Sequence, residues 1–98
     1  MPLFRTKKEA FDWLSRGIKT IDIRKGSPRN GEVAVYLSGR KVLRMNIIKK
    51  ESGMLNDIVR LDNYRLIIPS AVNLGEAITY LISLYDGYQG IFTAYYIS

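Results

Sequence analysis

Two runs rich in Val, Leu and Ile, Glu32 to Leu37 and Lys41 to Ile48, are separated by only Ser38-Gly39-Arg40. So short a link folds the second run straight back on the first, which commits the chain to an antiparallel hairpin and therefore to a sheet. The register stays open. Ser38-Gly39 and Gly39-Arg40 are both acceptable two-residue turns, and the choice decides which side chains face each other.

The remaining elements are read outward from that hairpin. Thr6-Lys7-Lys8-Glu9 has the form of a capping box and predicts a helix start. Ala10, Phe11 and Leu14 share a face, with Trp13 beside them as a core residue, and Gly17 ends the helix after about three turns. Ile18 to Arg24 alternates with period two and reads as a strand, while Lys25 to Gly31 is packed with turn formers. With the hairpin, that strand makes a three-stranded meander. Ile58 to Leu61 and Tyr64 to Ile68 flank Asp62-Asn63 and read as a second, shorter hairpin. Asn73-Leu74-Gly75-Glu76 looks like another cap, opening a helix with an apolar stripe from Leu74 to Tyr85 that Gly87 closes. Ile91 to Ile97 is a last strand.

The expected fold is α+β: a single two-layer domain over residues 1–98, of order α-β-β-β-β-β-α-β. Its sheet is mostly antiparallel, with about five to six strands and both helices on one face. Val33, Val35 and Leu37 alternate with Ala34 and Tyr36, so the strands are apolar on both sides. Two helices do not cover two faces, and an exposed apolar sheet face predicts self-association.

There is no cysteine, so neither a disulfide framework nor a thiolate zinc site is possible. A reducing cytoplasm fits, with no signal-peptide pattern and no apolar run near the ~20 residues that span a bilayer. Twelve Ile, a single Gln89 and no His or Cys give a thermophile-like composition. Catalysis has little to work with. The common general base and the thiol nucleophile are missing, and Asp22, Glu32, Asp57 and Asp62 form no cation-holding cluster. Gly26 to Gly31 resembles a phosphate loop only in its glycines, since Pro28 removes an amide. The expectation is a protein that is not an enzyme, with no metal, no cofactor and no small-molecule substrate.

The charge is the informative feature. All fifteen Lys and Arg lie between residues 5 and 65, against seven acids there, for a net of +8. Such a field favours polyanions. In a meander, Arg24, Lys25 and Arg29 share a sheet end with Lys49 and Lys50, and Ser27 and Asn30 add hydrogen bonds, which together resemble a phosphate-backbone surface. Arg40, Lys41 and Arg44 extend it at the opposite turn. Arg60 would face Arg65 across the second hairpin, with Asp57 or Asp62 compensating. Tyr80, Tyr85, Tyr88, Tyr95 and Tyr96 crowd a segment without cations, so packing or an interface built on Tyr88, Phe92, Tyr95 and Tyr96 explains them better than base stacking. These features point to a non-catalytic, cytoplasmic nucleic-acid-associated protein, RNA ahead of DNA, such as a ribonucleoprotein or accessory ribosomal component. The other reading is a protein-interaction module or homodimer. Neither helix offers the basic amphipathic face of a membrane-surface protein.

Overall fold

The computed structural model describes residues 1–98. Its elements in chain order are β1 (Leu3–Arg5), α1 (Lys8–Ser15), β2 (Ile21–Lys25), β3 (Val33–Ser38), β4 (Lys41–Gly53), α2 (Leu55–Ile58), α3 (Tyr64–Ile67), α4 (Leu74–Leu84) and β5 (Phe92–Ile97). The central hairpin is β3–β4, with Ser38 opposite Lys41, so Gly39-Arg40 is the turn. Gly39 sits there at φ +58°, a conformation that favours glycine.

The five strands run in the order β1-β3-β4-β5-β2. The sheet is mixed, because β1 lies parallel to β3 while the other three pairs are antiparallel. The expected element order and the expected meander are both corrected here. β1 is too short to leave a periodic pattern; it is held by long-range bonds, Val35 N to Pro2 O and Thr6 N to Leu37 O. β2 does not join β3 in a meander but pairs with β5 at the far edge. The seven-residue segment between them imposes no tight turn.

The second hairpin is replaced by α2 and α3. Leu55, Ile58 and Val59, and again Tyr64, Ile67 and Ile68, are spaced i, i+3, i+4, which is helical, and all six are buried. Buried Asn63 fixes the link, its amide donating to Ile58 O while its oxygen accepts from Arg60 N. Arg60 therefore never faces Arg65. It pairs with Glu51 at 3.3 Å and Asp62 at 3.5 Å. There are thus four helices, and they do not share one face.

One apolar cluster joins Phe4, Phe11, Leu14, Ala34, Tyr36, Tyr95 and Ile97; the other joins α2, α3 and α4 to Ile21, Ile23, Phe92 and Ala94. Thr93 and Tyr95 alternate with Phe92 and Ala94, so the clusters lie on opposite faces of the sheet. Tyr36 on β3 donates its hydroxyl to Asp22 on β2, three strands away in the sheet, so the sheet curls around the first cluster. On the outer face α2, α3 and α4 cover β5 and β2. The outer face of β1, β3 and β4 carries no helix, and Leu3, Val42 and Ile48 there are 57%, 61% and 68% exposed.

Candidate nucleic-acid interface

The curl brings the two sheet edges together, and side chains terminate both. Arg24 is held by Asp22, Nε to Oδ2 at 2.7 Å, and its other nitrogens donate to Arg5 O at 2.8 Å and Thr6 Oγ1 at 3.2 Å. Its guanidinium also stacks 4.5 Å from the Phe4 ring centre. Arg29 donates to Leu3 O and lies over the same ring. The β1 carbonyls are thus capped by two arginines expected to face phosphates. At the other edge, Lys19 donates to Ile21 O and Tyr85 to Ile23 O. Arg24 is consequently a structural residue, and Arg29 is partly one.

The remaining expected cations lie along β4 and beside it. Arg40, Lys41, Arg44 and Lys49 are exposed, and Lys50 is half-buried with its ammonium on Arg29 O at 2.7 Å. A register shift between Ile47 and Lys49 changes the facing of the strand. Leu43, Met45 and Ile47 point into the inner cluster, whereas Lys49 stands beside Tyr96, 4.8 Å over its ring. Arg44 shares the helix-free outer face with Val42 and Asn46. Lys25, at the end of β2, lies over Tyr88, and Asn30 is exposed in the following loop. Only Arg16, Arg24 and Arg60 form ion pairs. No carboxylate lies within 4 Å of Arg40, Lys41, Arg44, Lys49 or Lys50.

The tyrosine-rich C-terminus serves mainly as core. Phe92 and Tyr95 are 1% and 0% exposed and offer a partner no surface, because β5 lies between β4 and β2 with an apolar cluster on each face. Tyr96 is half-buried among Lys49, Arg60 and Glu51. Of the four expected interface residues only Tyr88 is exposed.

The molecule is comparable with solved structures over nearly its whole length. The chain is similar in fold to hypothetical protein PH0355. The two superpose with a TM-score of 0.78 at 12% identity, over 98% of this chain and 95% of the other. The likeness establishes a common α+β architecture with a curled mixed sheet. No family model matches the sequence, and no curated protein matches it.

A second polar centre was not anticipated. Lys19 is 4% exposed while its neighbour Ile18 is 40% exposed, the reverse of what hydropathy suggests. Its ammonium bridges Ile21 O and Ile67 O, and burial pushes its pKa down to about 8. Asp22, also 4% exposed, accepts from Arg24 and Tyr36. Burial raises the Tyr36 and Tyr85 phenols, Tyr85 to about 12. Asp22 and Arg24, two apart on one strand, share a face, so their pairing was legible in principle. Lys19 left no such signal. Lys19, Asp22, Arg24 and Tyr85 line a 190 Å³ cleft between α1, β2 and α4. No three His, Cys, Asp or Glu side chains stand close enough to hold a metal, and no helix is long and apolar enough to cross a membrane.

Proposed function

We propose that this protein is a non-catalytic nucleic-acid-binding component of a cytoplasmic ribonucleoprotein, RNA ahead of DNA, and that β4 is its contact surface. The observation that carries this reading is the set of exposed cations without carboxylate partners, Arg40 in the turn and Lys41, Arg44 and Lys49 on the longest strand, with Lys50 beside them held on Arg29 O, next to a sheet face that no helix covers. Cations held without carboxylate partners cost little to bring onto phosphate, and backbone contacts of this kind read charge and shape rather than sequence. Exposed aromatic rings are scarce on this face, so phosphate contact rather than base stacking supplies the affinity.

The test is fluorescence anisotropy of labelled single-stranded RNA, duplex RNA and duplex DNA across a salt series. A variant with Arg40, Lys41, Arg44 and Lys49 all changed to Gln is run alongside. These four are exposed, and beyond the stacking of Lys49 on Tyr96 they support no packing, so the variant remains folded. For single strands the slope of log K against log salt becomes shallower by about 0.7 per lost contact, roughly 3 in all. Wild-type protein that binds no nucleic acid at low salt removes the reading.

A second reading is favoured by the exposure of Leu3, Val42 and Ile48. The open face then joins two copies, with association that persists at high salt. Sedimentation of wild type against Val42→Lys separates this from polyanion binding, since only self-association is lost.

A further inference from the structure

We propose that the cleft between α1, β2 and α4 binds a small phosphate monoester, with its phosphoryl group at the cationic end and its organic part against Trp13 and Tyr80. Four cations line this cleft, Arg5, Lys7, Lys19 and Arg24, against one carboxylate, Asp22, whose charge is already held by Arg24 at 2.7 Å. A second carboxylate, Glu9, accepts from the Tyr80 hydroxyl at 3.3 Å at the rim, and the remaining excess of two positive charges around a partly enclosed space favours an anion. Arg5 and Lys7 are exposed at the rim and have no carboxylate within 4 Å. Lys19 is nine-tenths and more buried, and its two carbonyl acceptors use two of its three hydrogens.

The start of α1 adds donors to the same place. Lys7 occupies the N-cap position and caps no amide. Thr6, the expected cap, instead donates to Phe4 O and accepts from Arg24. The first amides of α1 are therefore left without a side-chain acceptor at the positive end of the helix dipole, and Ala10 of that turn lines the cleft. A phosphate monoester carries close to two charges at neutral pH and several acceptor oxygens, which suits this set better than a carboxylate. Trp13, Tyr80, Ile68 and Leu84 form the apolar wall, with the Trp13 and Tyr80 rings 6.3 Å apart. At 190 Å³ the space admits a small molecule or the end of a strand, and excludes the interior of a duplex. A free mononucleotide and a 5′-phosphorylated strand end share the monoester chemistry.

Trp13 is the only tryptophan, so its fluorescence reports on this cleft alone. We expect adenosine 5′-monophosphate to change it saturably and adenosine to leave it unchanged. Lys7→Gln weakens the binding about tenfold through loss of a charge-assisted contact. Lys19→Met does so by as much or more, and Lys7→Gln carries the test alone if Lys19→Met does not fold. The Arg44→Gln, Lys49→Gln variant binds adenosine 5′-monophosphate like wild type, so failure of the β4 reading and failure of this one are distinguishable. A 5′-phosphorylated oligonucleotide that moves the Trp13 signal more tightly than its 5′-hydroxyl counterpart assigns the site to strand ends. Equal affinity assigns it to free small molecules. No saturable change with millimolar nucleotide, or undiminished affinity in Lys7→Gln, overturns the proposal.

Discussion

Lys19 is the residue whose burial costs the fold most visibly. Its ammonium is kept out of water by α3 and β2, with Asp22 partly offsetting and Arg24 adding to the penalty. Below pH 8 the folded and unfolded chains both carry the proton, and the penalty is present in full. Between about 8 and the ordinary 10.5, only the unfolded chain holds it, so stability rises with pH there by about 3 kcal/mol. Above about 10 the trend reverses, because Tyr36 and Tyr85 ionise in the unfolded chain before they do in the fold. Denaturant melts from pH 7 to 11 check this: Lys19→Met removes the rise and leaves the fall. Arg24 behaves differently. Arg24→Met strands the buried Asp22 carboxylate and destabilises by about 3 kcal/mol, and adding Asp22→Leu recovers part of the loss, because the stranded carboxylate is gone while Lys19 loses the charge that offsets its own burial. Chemical denaturation of the single and double variants measures both values.

Among the elements, those with local signals were legible in the sequence. The β3–β4 hairpin was set by the short turn, and α4 by Asn73, which accepts from Glu76 N at 2.8 Å as expected of its cap. Gly17 and Gly87 end their helices at φ +73° and +76°. The misreadings were of two kinds. In residues 55–68 the apolar spacing is equally helical, and Asp62-Asn63 suggested a turn that buried Asn63 instead uses to link two helices. β1 and the β2–β5 pairing depend on contacts distant in sequence, which no local pattern records. The candidate site divided the same way. Cations on β4 were readable as exposed, whereas the burial of Arg24 followed from an edge-to-edge curl that only the tertiary fold creates. The unoccupied cap of α1 gives a direct check. Lys7→Ser supplies the missing side-chain acceptor and should raise stability by about 0.5–1 kcal/mol in thermal melts, while weakening any phosphate held at that helix end.

At the scale of the whole molecule, the curled sheet separates structural charge from available charge. Asp22, Arg24 and Lys19 close the edges, Arg60 joins β4 to the segment after α2, and the cations of β4 remain unpaired beside the open face. The absence of histidine leaves that surface without a group of ordinary pKa between 5 and 8, so nucleic-acid affinity should be nearly flat across that range at fixed salt. The central claim is that β4 presents the anion-contacting surface, and amide chemical-shift mapping by NMR during titration with single-stranded RNA tests it most directly. The account predicts perturbations concentrated on residues 40–50, weakening as salt rises, with α4 undisturbed. Shifts centred on α4 or the C-terminal tyrosines, or no shifts at low salt, would contradict it.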